Sequence, residues 1–300
     1  MKLTTLKALS LLCISPLALA QSQILLLQQD EQGQPEVQAV SERGAYSNQP
    51  AISKTGVYYS YEIGTDKQAQ KEIFFYDFAT QGRRNISNTP AYSEYSPTLV
   101  PALNASSVVV LGLNALSAVV VEPDGGQKLW SYPLGESAPS TRILDNGLTI
   151  GYHAWGARQD LLVFALGEPH SAKYFNLAEP EKIHHVADNP GRGFSYNPAL
   201  GVFTFTQQQD LQNWFSTFAP DTKTVTQLFR LPQGVQDYTW VTDKSIAYAY
   251  GGRVYQKQLQ SAKAASLWHD LSEYCAGNIT RLSYLPEGDK LAFVCEDKAP

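Results

Sequence analysis

Three groups of residues in this sequence are of types that could do chemistry. The first is Gly193-Phe194-Ser195-Tyr196-Asn197, a serine two residues after a glycine. A nucleophilic serine of this kind needs a second glycine and a sharp strand-to-helix turn to hold its hydroxyl clear. Asn197 stands where that glycine should be and no helical pattern follows, so Ser195 reads as a strand residue. The second group is the histidines, His153, His170, His184, His185 and His269. Only His184 and His185 are close in sequence, and neighbours on an extended chain point to opposite faces, which prevents chelation of one ion. No H-E-x-x-H or calcium-loop spacing occurs, so no metal and no cofactor are expected. The third group is the acids. Glycoside cleavage needs two carboxyls roughly 5 to 9.5 Å apart across a cleft. Asp30, Glu31, Glu122, Asp124, Glu287 and Asp289 fall in turns, where they read as solvated or turn-closing residues. Glu94 and Asp237 stand apart from these, in segments leading into strands. No catalytic residue is assigned.

What remains is recognition. Tyr46, Asn48, Glu94, Tyr95, Arg192, Phe194, Asp237, Tyr238 and Arg281 all precede or open an apolar strand, as do Ser47, Tyr92 and Gln236. Trp155-Gly156-Ala157-Arg158 is read as a loop between a second and a third strand, which adds to the same set. Tyr, Trp and Arg join apolar area to directed hydrogen bonds and dominate binding hot spots. The competing role for each ring is packing in the core.

The elements that must position these residues are strands. Short β-type runs separated by Gly, Pro, Asn and Asp turns recur along the chain. One unit runs through Gln49–Ser53, Val57–Tyr61, Glu72–Phe78 and Arg83–Ser87. The next runs through Ser96–Leu99, Val108–Leu111, Ala118–Val121 and Lys128–Tyr132. The first apolar residue of each second strand is read at Val57, Val108, Leu148, Val202, Ile246 and Leu291, intervals of roughly 40 to 54 residues. That period predicts an all-β, six-bladed propeller of four-stranded antiparallel blades. The chain stops two strands into the last blade, and Ile24–Gln28 and Glu36–Ser41 are the two strands left over. They are expected to complete that blade and close the ring, which removes two sheet edges. Inlet loops, leading into each inner strand, and turns between second and third strands then share one face, at the mouth of the central channel.

The segment Arg281–Val294, with Tyr284-Leu285-Pro286-Glu287-Gly288-Asp289-Lys290 at its centre, resembles the repeat of TolB-like, WD40-like (PD40-type) propellers. Tyr95-Ser96-Pro97, Tyr196-Asn197-Pro198 with Gly201-Val202-Phe203, and Gln49-Pro50 with Gly56-Val57 are read as weaker copies. The resemblance implies a propeller of the bacterial envelope. It covers the propeller only, since TolB carries an additional N-terminal domain.

Lys2 and Lys7, the apolar run Ala8–Ala20 and the Ala18-Leu19-Ala20 site read as a signal peptide cleaved between Ala20 and Gln21. Residues 1–20 are then the signal and 21–300 one propeller domain, periplasmic or secreted. The run is well short of the roughly 20 residues that span a bilayer. Cys275 and Cys295 remain after cleavage, and an oxidising compartment favours a disulfide between them over two buried thiols. The formal charge of −5 is spread along the chain, so no basic face is available for nucleic acid. The expected function is non-catalytic binding of an envelope protein or a cell-wall or polysaccharide fragment by a monomer. The alternative is a propeller-fold polysaccharide lyase or glycosidase.

Overall fold

Alternation of side chains, period two, organises the whole molecule. The computed structural model describes residues 22–65, 69–101, 114–135 and 139–297. Within them, β1 (Ser22–Gln29) and β2 (Pro35–Ala39) come first, followed by the strands of blade one: β3 (Ser47–Ile52), β4 (Gly56–Ile63), β5 (Gln70–Asp77) and β6 (Arg83–Asn85). Blade two holds β7 (Ser93–Leu99), β8 (Ala115–Val121), β9 (Gln127–Pro133) and β10 (Thr141–Arg142). Blade three holds β11 (Ile150–Trp155), β12 (Asp160–Ala165), β13 (Ser171–Asn176) and β14 (Glu179–Asp188). Blade four is β15 (Pro190–Asn197), β16 (Val202–Gln209), β17 (Gln212–Ala219) and β18 (Thr224–Leu231). Blade five is β19 (Thr239–Thr242), β20 (Ser245–Tyr250), β21 (Arg253–Gln258) and β22 (Ser266–Asp270). Blade six takes β23 (Asn278–Leu285) and β24 (Lys290–Glu296) from the end of the chain and β1 and β2 from its beginning. The six-bladed antiparallel propeller is therefore the fold, and the two amino-terminal strands complete its last blade.

The seam is fully paired. β1 runs antiparallel to β24 from Ser22 opposite Glu296 to Leu27 opposite Leu291. Along β1, Ile24 and Leu26 face blade one, where they meet Val57, Tyr59 and Tyr76. Leu25 and Leu27 face the other way, into the core shared with blade five. Strand β16 alternates likewise: Phe203 and Phe205 pack toward blade three, whereas the Thr204 hydroxyl meets Tyr238 at 2.6 Å. Such sandwiches fill all six gaps between blades, so no blade has to bury a face alone. Cys275 and Cys295 form a disulfide that ties the inlet loop of blade six to β24.

Two blades correct the sequence reading. In blade two, the strand hydrogen-bonded to β7 is β8, so Ala118–Val121 lies in the second strand and Lys128–Tyr132 in the third. Val108–Leu111 lies outside the described residues. In blade three, Ile150–Trp155 is the inner strand, so Leu148 precedes the first strand and does not open the second. The motif copies also separate. Tyr196-Asn197-Pro198 ends an inner strand, as Tyr284-Leu285-Pro286 does, but Tyr95-Ser96-Pro97 and Gln49-Pro50 sit in the middle of theirs. They mark register breaks, between Tyr95 and Thr98 and between Asn48 and Ala51. The proline, which has no N–H to donate, fits a bulge and not a ladder.

Candidate binding site at the channel mouth

Bulges in the inner strands aim side chains at the axis. Blades one, two and six each hold a residue with left-handed backbone there, Gln49 (φ 55°), Ser96 (φ 54°) and Arg281 (φ 52°). A bulge redirects the side chain it carries, and a non-glycine residue at positive φ persists only where its surroundings enforce it. A narrow throat of about 140 Å³ is lined by every blade in turn: Gln49, Ser96, Tyr152, Arg192, Asp237 and Arg281. It therefore lies on the propeller axis.

The throat is ionic. Asp237 accepts from Arg192 Nη2 at 3.1 Å and lies 3.3 Å from Arg281 Nη1. Arg281 is buried, donates from Nη2 to the Tyr152 hydroxyl at 2.9 Å, and its guanidinium lies 4.8 Å from the centre of that ring. The Nε–H groups of both arginines are buried without an acceptor. His153 is buried below them, with Nε2 2.7 Å from Ser117 Oγ. Burial holds its pKa down at about 3, so it is neutral.

Above the throat opens a cavity of about 560 Å³. Inlet residues Asn189, Arg192 and Gln236 line it, together with Gln127, His170 and Gln208 beside the turns between second and third strands. Tyr95 and Tyr152 supply its aromatic walls, and Tyr46 buttresses Tyr95 edge-on at 6.2 Å. No Asp or Glu is among the described residues that line it. The side chains of Gln127, Gln208 and Gln236 make no hydrogen bond with other described residues, which leaves their amides open to a ligand. Amides and tyrosines suit a neutral or anionic ligand rich in hydroxyl or peptide groups.

The sequence candidates therefore divide. Tyr95 and Arg192 reach the cavity, Arg192, Phe194, Asp237 and Arg281 meet in the throat, and Tyr46 stands behind. Asn48 is buried and its Oδ1 accepts from the Gln49 amide. Tyr238 touches the throat with one edge, but its ring is buried between blades four and five, edge-on to Phe215 at 4.9 Å. Trp155 and Arg158 belong to the turn between first and second strands, on the opposite rim. Trp155 is core, and Arg158 pairs with Asp221 there. Glu94 turns into the seam between blades one and two, where Thr89, Ser87 and the Tyr132 hydroxyl donate to it. Glu72 shares Ser87 and also accepts from the Thr89 amide. This acid pair is shut away from the channel, at 0% and 1% exposure. Glu122 is another correction, because Trp130 Nε1 and Arg142 hold it in place of solvent. His184 stacks on Phe218 while its neighbour His185 pairs with Asp188, so the two diverge as an extended chain requires.

Sequence reasoning missed Tyr152, Gln49, Gln127 and Gln208. Tyr152 was hidden by the shifted reading of blade three. The run Gln207-Gln208-Gln209 reads as the polar, exposed end of a strand, so nothing in the sequence singles out Gln208.

No family model matches the chain, and no curated protein matches it either. Solved structures do. A candidate TolB from Agrobacterium tumefaciens superposes with a TM-score of 0.67 at 10% identity, over 93% of this chain and 99% of that one. TolB from Acinetobacter baumannii gives 0.57 at 9% identity, over 93% of this chain, which spans 64% of that protein. A catalytically inactive virginiamycin B lyase from Staphylococcus aureus, with quinupristin, gives 0.53 at 10% identity, over 90% and 87%. At such identities the shared property is the propeller fold.

Proposed function

We propose that this chain is an exported TolB-like binding propeller of the bacterial envelope. On this reading, residues 1–20 are removed and the mature propeller works in the periplasm or outside the cell. Its ligand is an envelope protein or a cell-wall or polysaccharide fragment, held at the channel mouth without being transformed. One observation carries the reading: the cavity of about 560 Å³ presents open amides and tyrosines, with Arg192 as the one arginine and no acid among the described residues that line it. A glycosidase would need two acids facing the substrate, and Glu72 and Glu94 are instead enclosed in a seam. The Cys275–Cys295 disulfide and the likeness to TolB structures accord with an oxidising compartment.

The test is capture of partners from envelope extract by the mature protein, followed by affinity measurement on the recovered ligand. Changing Tyr95→Ala and Gln208→Ala together should weaken it about tenfold or more. Arg158→Ala, on the opposite rim, should leave it unchanged. The reverse pattern would place recognition on the other face, and the mature mass should begin at Gln21.

A further inference from the structure

Two arginines share one carboxylate in the throat. Arg192, Arg281 and Asp237 are its only full charges, so it holds one positive charge in excess among the described residues. Arg281 is 9% exposed, and its Nε–H is buried with no acceptor, as is that of Arg192. A buried donor left unmade costs stability, and more when the group is charged. Both guanidinium groups line one space of about 140 Å³, and a bulge holds Arg281 there at positive φ, which makes the throat a fixed, electropositive setting for an oxyanion.

We propose that this throat binds a carboxylate, carried by whatever ligand occupies the mouth above it. A carboxylate brings the single negative charge that balances the excess, and its two planar oxygens match guanidinium N–H groups. A phosphate group, with a charge of about −1.5 to −2, overshoots. Arg192 lines both spaces, so a ligand can lay its body along the amides and place its acid below. The ligand's body rests on the mouth reading, whereas the anion site does not.

The experiment follows arginine Nε–H signals of the ¹⁵N-labelled mature protein during titration with benzoate, benzamide and inorganic phosphate. Benzoate should shift two slowly exchanging Nε–H signals saturably, and benzamide should not. Arg192→Gln should weaken benzoate about tenfold, and Asp237→Asn, by freeing both guanidinium groups, should strengthen it severalfold. Arg192 is partly exposed, so its replacement tests the site even if Arg281→Gln fails to fold. Equal responses to benzoate and benzamide, no response to either, or tighter binding of phosphate would overturn the proposal. Two longer series then identify the source: short peptides ending in acid or amide, and oligouronates as acid or methyl ester. A preference for the acid in either series supports the clamp. Equal binding of acid and neutral forms overturns it and leaves the mouth reading standing. A benzoate response without binding of any longer ligand does the opposite.

Discussion

Glu94 shows how far a single side chain's role depends on what encloses it. Burial first, and the nearby Glu72 carboxylate in addition, push its pKa up to about 7 despite three hydroxyl donors. A raised acid pKa means that the folded state binds the proton more tightly than the unfolded one. Its contribution to stability is therefore greatest at low pH and is lost as pH rises from the ordinary glutamate range, about 4.3, through about 7. The loss across that window is on the order of 3 kcal/mol. Urea denaturation at pH 5 and pH 8 should show the wild type losing stability between them, and Glu94→Gln should flatten that dependence. An unchanged slope would mean that the charge is relieved in some other way. Tyr95 and Tyr238 make a second residue-scale contrast. Both are tyrosines just ahead of or within an inner strand, and the sequence gives no ground for separating them. Tyr238 fills the gap between blades four and five, so Tyr238→Ala should cost about 3–5 kcal/mol in stability. Tyr95 walls the mouth, so Tyr95→Ala should act chiefly on ligand affinity. Thermal melting beside ligand titration separates the two.

At the scale of elements, legibility followed periodicity. Strands such as Val57–Tyr61 and Leu291–Cys295 are short apolar runs buried on both faces and bounded by strong turns, and they stand as second strands as the repeat predicts. The closure was legible for a different reason: two strands at the start and two missing at the end make one whole blade. Blades two and three were misread because strand count within a blade depends on hydrogen-bond partners, which apolar runs do not name. Val108–Leu111 and Ala118–Val121 are equally β-branched, yet the strand bonded to β7 is the one containing the latter. In blade three, reading Leu148 as the opening of a second strand places Trp155 and Arg158 on the wrong rim and hides Tyr152 in the inner strand. The disulfide was legible from the cysteine count and the compartment that the amino-terminal segment implies, and its effect is predictable at this scale. It closes a loop between residues 20 apart in sequence, worth about 3 kcal/mol in the chain-entropy model. Cys275→Ser with Cys295→Ser should lower the urea midpoint accordingly while leaving the mouth intact. Loss of ligand binding along with stability would mean that the inlet loop of blade six shapes the site as well.

The described residues form a ring whose first and last strands meet inside one sheet. Six cores alternate with six blades, and each core needs both neighbours, so opening one gap exposes two apolar faces at once. The covalent break, however, lies between β24 and β1, where Ser22 stands opposite Glu296. Partners across an antiparallel ladder are only about 4.5 to 5.5 Å apart. A few glycines could therefore join Glu296 to Ser22 without strain in a protein built of residues 22–296, and a new opening could be made in the exposed turn at Glu31–Gln32 between β1 and β2. Such a permutant keeps every ladder and every core, so it should fold as a monomer with a melting temperature within a few degrees of the parent. Removing β1 and β2 instead strips Ile24 and Leu26 from one core and Leu25 and Leu27 from the other, and bares the edge of β24. That chain should aggregate, because an unpaired apolar edge recruits a second copy. Circular dichroism and gel filtration of the two proteins decide the matter. A folded, monomeric deletion variant would show that the seam is dispensable and that the ring does not depend on its closure.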